Sequence, residues 1–272
     1  MKTLVHCWKH PRGYCDFVGS TMMLALLFPD DDVTWALPPD RDICKVLRQP
    51  QCELYRKNLD CRFLSLAANG AEANRKGKEE FCANIHKLNK ETIFCDFRCN
   101  GSLRGANQQF KAMLEFEPSL AEKVKNDIRT QFGHSYTVIH VRVGDDAMKG
   151  MPGDCTPLVA EIEKTAKESE FPVVLISDSL ELKSIMRSKL MVSESIPFHS
   201  GRMAGDAHSF MLDVCMIQHA ARVVALSTHA WQNTSFSRIP ALFAGVPYQC
   251  RPVRLHAKHR SETLPNIQKA PE

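Results

Sequence analysis

The chain has 272 residues, of which 44% are hydrophobic and 24% are charged, and its formal net charge is +4. These are the values of an ordinary globular protein, and the length suits one large or two small domains. The mild positive charge fits an anionic ligand, whereas the absence of a Lys/Arg run or a zinc-finger spacing argues against nucleic-acid binding. No apolar run approaches the roughly 20 residues that a membrane span requires.

The cysteine content bears on the compartment in which the chain works. There are 11 cysteines, and none forms the C-x-x-C pair of a structural zinc site. Several lie in apolar stretches, where reduced cysteine behaves as a small hydrophobic residue. Residues 1–8 look like a strand and not like a secretory signal, so we expect a reducing, cytoplasmic location, or a soluble part of a larger anchored protein. Two glycosylation sequons at Asn100 and Asn233 weakly favour the opposite, and the disulfide state stays open.

The first half of the chain opens with a strand, a helix and a second strand. This order is the unit of a parallel sheet. The segment between residues 41 and 77 is less regular, with a short helix in its first part. The predicted elements of this half are strands at 3–8, 33–37 and 92–97, helices at 17–27 and 43–48, and a loop at 100–105.

The second half alternates more regularly. In the segment 118–130, Leu120, Val124 and Ile128 recur on one helical face. The predicted helices are 118–130, 158–167, 180–190, 209–221 and 235–244, and the predicted strands are 136–142, 173–177 and 222–226. Strands alternating with helices of this length predict an α/β, doubly wound, mostly parallel sheet. We predict an N-terminal domain over 1–110, a C-terminal domain over 111–250 and a polar tail over 251–272.

The most informative segment runs from Tyr136 to Asp146. Its apolar strand ends in His140, Arg142, Gly144 and Asp145. In an open α/β sheet, ligands bind beyond the carboxyl ends of the strands. An arginine there suits a diphosphate, the glycine permits close approach, and the carboxylate could take a proton from a sugar hydroxyl. The alternative is an ordinary strand end with solvated charges.

Three further polar clusters follow strands or precede them in this half. A serine- and threonine-rich loop that opens a helix can hold a phosphate on its free N–H groups. Each cluster alone has a simpler interpretation as a helix cap or a solvated face, but their succession favours one shared site. The clusters are Ser177-Asp178-Ser179, Asp213 with His208, and Ser227 to Ser237.

These motifs resemble those of the fucosyltransferase superfamily, which includes α1,2-, α1,6- and protein O-fucosyltransferases. The family signature, a strand running into His-x-Arg-x-Gly/Thr-Asp, is matched by His140-Val-Arg-Val-Gly-Asp145. A Ser-Asp pair after a strand, a helical aspartate and a Ser-Phe-Ser loop follow in the same order. They are matched by Ile176-Ser-Asp-Ser179, Phe210-Met-Leu-Asp-Val214 and Thr234-Ser-Phe-Ser237. The segment Gly13-Tyr-Cys-Asp-Phe-Val-Gly-Ser20 is a looser match to the first loop of the protein O-fucosyltransferases.

The resemblance implies a GT-B-like fold of two Rossmann-like halves, with a reduced N-terminal half. It also implies an inverting transfer that needs no metal ion and no cofactor beyond a nucleotide-sugar donor, with a glycan as acceptor. Arg142 would hold the diphosphate, Asp145 would be the general base, and Asp213 would contact the base or ribose. The other implied donor-side positions are His140, Gly144, Ser177, Asp178, Thr234, Ser235, Phe236 and Ser237, and those of the first loop are Gly13, Tyr14 and Asp16.

One departure from the family pattern leaves the donor open. Many α1,2 and α1,6 members carry a second arginine beside the first, and Val143 stands there instead. GDP-fucose is the favoured donor, with UDP-xylose as an alternative. Two rival hypotheses are a non-catalytic nucleotide- or glycan-binding module and a cysteine-dependent enzyme using Cys15 with His6 or His10.

Overall fold

In the computed structural model, two parallel sheets are covered by helices. The structure describes residues 1–8, 13–64, 71–98, 108–143, 155–196, 207–228 and 235–253. Within these ranges there are nine strands and seven α-helices, and every strand pairing between them is parallel. The predicted α/β class with two mostly parallel sheets is therefore confirmed.

The N-terminal sheet has four strands in the order β2-β1-β4-β3. Its elements are β1 (Thr3–Cys7), α1 (Tyr14–Leu27), β2 (Asp32–Ala36), β3 (Cys61–Leu64), α2 (Ala71–Lys87) and β4 (Thr92–Arg98). The sequence did not predict β3 or α2. The strand β3 is short and lies at a sheet edge. The first half of α2 is largely polar, and its described buried residues, Phe81 and Ile85, lie in the second half.

The C-terminal sheet has five strands in the order β7-β6-β5-β8-β9. Its strands are β5 (Thr137–Arg142), β6 (Val173–Ser177), β7 (Met191–Val192), β8 (Arg222–Ser227) and β9 (Tyr248–Pro252). Its helices are α3 (Pro118–Phe132), α4 (Thr156–Lys167), α5 (Leu180–Met186), α6 (Ala207–His219) and α7 (Ser235–Ala244). The register pairs Val141 with Ser177 and Arg142 with Ser227, so the carboxyl ends of β5, β6 and β8 lie side by side.

Several predicted boundaries differ from the observed ones. The helix predicted at 43–48 is a 3-10 turn at Asp42–Lys45, and the helix predicted at 180–190 ends at Met186. The edge strands β7 and β9 were not predicted. They lack the buried apolar run that marks a central strand, because one is only two residues long and the other has only half-buried and exposed residues. β9 extends two residues into the segment predicted as the tail.

Helix α1 of the N-terminal half packs against helix α7 of the C-terminal half. A Cβ on Gly19 of α1 would lie 3.0 Å from Cδ1 of Ile239 in α7, so a glycine permits this close approach. At the start of α1, the ring of Tyr14 meets that of Phe210 in α6 edge to face, with 5.9 Å between centroids. Both sheets therefore contribute to one hydrophobic core, and the start of α1 lies against the C-terminal half.

Candidate functional site

The centre of the candidate site is the end of β5. The residues Thr137 to Val141 are buried, and Arg142 follows with 24% of its side chain exposed. Its Nη1 donates to Oδ2 of Asp178 at 2.7 Å, and the backbone N–H of Val143 donates to Oδ1 of the same carboxylate at 2.8 Å. A carboxylate held at both oxygens has a defined orientation, and its charge-assisted bond orients the guanidinium in turn.

Asp178 lies directly after β6, within the predicted Ser-Asp-Ser cluster. The capping role that the sequence suggested for this cluster belongs to Ser179, whose Oγ accepts a hydrogen bond from the N–H of Leu182 at 3.1 Å. Ser177 is buried, and its Oγ accepts from the N–H of Ser179 at 3.1 Å. The two serines therefore shape the turn, and Asp178 is the member that reaches Arg142.

His140 joins the end of β5 to the first turn of α7. It is 3% exposed, its Nδ1 lies 2.8 Å from Oγ of Ser237, and its ring centroid lies 5.2 Å from that of Phe236. Burial, with smaller effects from the charges of Arg142 and Lys183, lowers the pKa of His140 to about 3. The imidazole is consequently neutral near pH 7, and it holds the start of α7 beside Arg142.

This buried histidine predicts a dependence of stability on pH. As the pH falls from ~6.5, the unfolded chain takes up a proton that folded His140 refuses until about pH 3, so the folded state loses stability across that window. We expect the free energy of unfolding to depend less steeply on pH in His140→Asn, which retains an amide near the Nδ1 position but cannot titrate. The slope of the unfolding free energy against pH should fall by up to about 1.4 kcal/mol per pH unit. Urea unfolding between pH 4 and 7 measures the effect.

The control for this prediction is His134→Asn, because His134 is exposed. The control should leave the slope unchanged. Equal slopes for the parent and His140→Asn would contradict the neutral buried state of His140.

Asp213, in α6, is the centre of a buried polar network. Its Oδ1 accepts from Oγ of Ser193 at 2.6 Å, and its Oδ2 accepts from Oγ of Ser195 at 2.7 Å. Nζ of Lys183, in α5, donates to the carbonyl oxygen of Ser195 at 2.6 Å and to its Oγ at 3.2 Å. Asp213 is 5% exposed and Lys183 is 2% exposed. The network ties α5 and α6 to the segment after β7.

Burial perturbs both charged groups of this network. It raises the pKa of Asp213, an effect that Lys183 and the two serine hydrogen bonds oppose. It also lowers the pKa of Lys183, and the charge of Asp213 opposes that shift. Both carboxylate oxygens have protein partners, so the structure places Asp213 in a supporting position, and its contact with a nucleotide stays a prediction. Lys183 was missed, although its place between Leu182 and Met186 on the buried face of α5 was a signal.

The predicted N-terminal loop residues lie in three different environments. Gly13 precedes α1, and its carbonyl accepts from the N–H of Asp16 at 3.0 Å. Tyr14 is buried, and its hydroxyl donates to the carbonyl of Met113 at 2.9 Å. Asp16 is exposed in the first turn of α1. Tyr14 thus joins the halves, and of the three only Asp16 has an exposed side chain.

A second cluster with a buried charged group lies in the N-terminal sheet, and it was not among the predicted sites. Asp96, in β4, is fully buried, with Oδ1 4.0 Å from Nε2 of His6 and Oδ2 3.7 Å from Nη2 of Arg62. Nδ1 of His6 lies 2.7 Å from Oγ1 of Thr21, which itself donates to the carbonyl of Phe17. Because the one hydroxyl hydrogen of Thr21 is used in its bond to Phe17, Nδ1 of His6 is the donor to Oγ1 of Thr21. An aspartate within the apolar run of β4 was the available signal.

Three predicted site residues, Gly144, Asp145 and Thr234, lie outside the described residues. Among the residues that the structure does describe, no three His, Cys, Asp or Glu side chains are grouped as metal ligands. In the same part of the chain, no helix combines the length and hydropathy of a membrane span.

Two parallel sheets covered by helices form an α/β architecture that known structures share. The fucosyltransferase NodZ from Bradyrhizobium is 12% identical, with 89% of this chain and 92% of that chain covered and a TM-score of 0.55. NodZ α-1,6-fucosyltransferase co-crystallised with GDP gives the same identity and coverage and a TM-score of 0.53. A mutant of Arabidopsis thaliana FUT1 in complex with GDP is 13% identical, with 95% and 71% covered and a TM-score of 0.51.

At this level of identity the likeness establishes the fold. The chain shares the fold of these fucosyltransferase structures, an α/β fold of two mostly parallel sheets, and the GT-B-like architecture expected from the resemblance is consistent with it. No protein-family model matches the sequence, and no curated protein sequence matches it.

Proposed function

We propose that this chain is a glycosyltransferase that moves fucose from GDP-fucose to a glycan hydroxyl, with inversion at the sugar carbon and without a metal ion. The observation that carries the proposal is the Arg142–Asp178 ion pair of 2.7 Å at the carboxyl end of β5. It occupies the ligand-binding edge of a fold shared with structures that were solved with GDP.

Arg142 would stabilise the departing diphosphate. The bond between the sugar carbon and the phosphate oxygen breaks with its electron pair moving onto the diphosphate, which gains negative charge. A guanidinium already oriented by Asp178 meets that charge without having to reorganise. Asp178 is accordingly a positioning residue that acts through Arg142.

The first turn of α7 would bind the phosphate nearer the sugar. Ser235, Phe236 and Ser237 open a ten-residue helix after β8, and a helix N-terminus offers unpaired N–H groups and a positive dipole end. The bond between His140 and Ser237 holds this turn at the end of β5. Ser237 is fully buried and Ser235 is half-buried, so we assign the phosphate contact to Ser235 and a supporting role to Ser237.

The acceptor hydroxyl would attack the sugar carbon from the face opposite the diphosphate. That direction of attack inverts the anomeric centre. We assign Asp145 as the group that takes the hydroxyl proton, because it lies three residues after Arg142 in the His-x-Arg-x-Gly-Asp motif.

A thermal-shift panel tests the donor site. A ligand at 100 times its dissociation constant stabilises a protein by about 2.7 kcal/mol. We expect GDP and GDP-fucose to raise the Tm of the parent, and Arg142→Ala to abolish the shift. The matched control is Arg222→Ala, because Arg222 begins the neighbouring strand β8 at the opposite end of the same sheet. The control should retain the full shift.

The panel also separates the alternatives. If only UDP and UDP-xylose raise the Tm, the donor carries another sugar and not fucose. A GDP shift without sugar transfer to any glycan would favour a binding module. If no nucleotide shifts the Tm, or if Arg222→Ala removes the shift as Arg142→Ala does, the proposed donor site is wrong.

A further inference from the structure

Two thiols meet in the connection between β2 and β3. Cys44 lies in the 3-10 turn Asp42–Lys45, and Cys52 lies eight residues later. Sγ of Cys52 donates to Sγ of Cys44 at 3.5 Å, and Sγ of Cys44 donates to the carbonyl of Pro38 at 3.4 Å. Both side chains are half-buried, so a small reagent can reach them.

The backbone on either side keeps the two sulfurs together. The N–H of Leu37 donates to the carbonyl of Gln51 at 3.1 Å, which closes a loop that contains Cys44 and ends directly before Cys52. The N–H of Cys52 donates to the carbonyl of Pro50 at 2.9 Å. The sulfur–sulfur approach therefore rests on a closed loop and does not depend on one mobile side chain.

The same loop connects the two halves of the molecule. The N–H of Arg48 donates to the carbonyl of Glu115 at 2.9 Å, and the N–H of Glu117 donates to the carbonyl of Val46 at 2.9 Å. Glu117 is the N-cap of α3, the first helix of the C-terminal half. A covalent link within the loop would consequently stiffen the connection to that half.

We propose that Cys44 and Cys52 form an oxidisable dithiol site that closes to a disulfide with a small disulfide oxidant such as oxidised glutathione. This site is independent of the proposed sugar transfer.

The chemistry is an ordinary two-step exchange. One of the two thiols loses its proton to solvent and attacks a sulfur of oxidised glutathione, forming a mixed disulfide and releasing one glutathione thiolate. The other thiol loses its proton and attacks the protein sulfur of that mixed disulfide, 3.5 Å away before the reaction, and the second glutathione leaves. Each released glutathione thiolate takes up one proton. The protein loses two protons and two electrons, and one oxidised glutathione becomes two reduced ones.

Mass spectrometry of the folded protein tests the site. After incubation with oxidised glutathione and blocking of the remaining thiols, trypsin should release residues 42–45 joined to residues 49–56. Closing a loop of this size should also raise the Tm by about 5 °C. Cys52→Ser should lose both effects. The matched control is Cys82→Ser, which removes another half-buried thiol, in α2, and should retain both effects.

Three results would overturn the proposal. The first is that the joined peptide does not form although other thiols of the folded protein become oxidised. The second is that it forms only in denaturant. The third is that the rise in Tm persists in Cys52→Ser, which would assign the stabilisation to other cysteines. None of these readouts involves a sugar donor, so they are independent of the proposed transferase activity.

Discussion

Replacing Arg142 by lysine should lower the kcat for sugar transfer from GDP-fucose by about 100- to 1,000-fold. This range corresponds to the roughly 2.7–4 kcal/mol that one preorganised donor contributes to a transition state. Lysine keeps the positive charge, but it lacks the planar fork that can bind Asp178 and a phosphate oxygen at the same time. Because the charge that Arg142 meets develops as the sugar leaves, the KM for the donor should change much less than kcat.

Asp178→Asn provides the companion measurement. If Asp178 acts only by orienting Arg142, its loss should reduce kcat less than Arg142→Lys does, and the double variant should be little worse than Arg142→Lys alone. Multiplicative losses in the double variant would assign Asp178 a separate contact with the substrate. Arg222→Lys, at the other end of the sheet, should transfer sugar at the parent rate.

Replacing Asp213 by alanine should destabilise the fold by about 1–3 kcal/mol for each buried hydroxyl that is left without its acceptor, and further through the loss of a negative charge near buried Lys183. The change would remove the largest of the negative charges that act on buried Lys183 and would deprive the hydroxyls of Ser193 and Ser195 of their acceptor. The free energy of unfolding in urea measures the loss. Asp127→Ala, an exposed change in α3, is the control and should stay within about 0.5 kcal/mol of the parent.

A second variant identifies the cause of that loss. Adding Lys183→Met removes the uncompensated charge, so Asp213→Ala with Lys183→Met should be more stable than Asp213→Ala alone. If the added change lowers stability further, then the loss in Asp213→Ala does not come from the isolated charge of Lys183. The predicted contact of Asp213 with a nucleotide would remain to be tested by comparing donor KM values in Asp213→Asn.

The sequence by itself determined the strands that carry the site. β5, β6 and β8 are continuous apolar runs rich in valine and isoleucine, which is the pattern of strands buried on both faces. Polar residues after such strands must gather at one edge of a parallel sheet, so Arg142 and Asp178 were predictable as members of one site. The resemblance of their motifs to the fucosyltransferase superfamily pointed to the same fold.

Only the tertiary structure decided which of these residues touch. The order β6-β5-β8 makes Asp178 the neighbour of Arg142, and it places His140 against Ser237, 97 residues further along the chain. Local periodicity carries no information on strand order, which depends on how whole layers pack. The neighbours of Asp213 follow the same rule. The place of Lys183 on one face of α5 with Leu182 and Met186 indicated that its side chain is buried, but only the packing of α5 and α6 shows that Lys183 and Asp213 meet at Ser195.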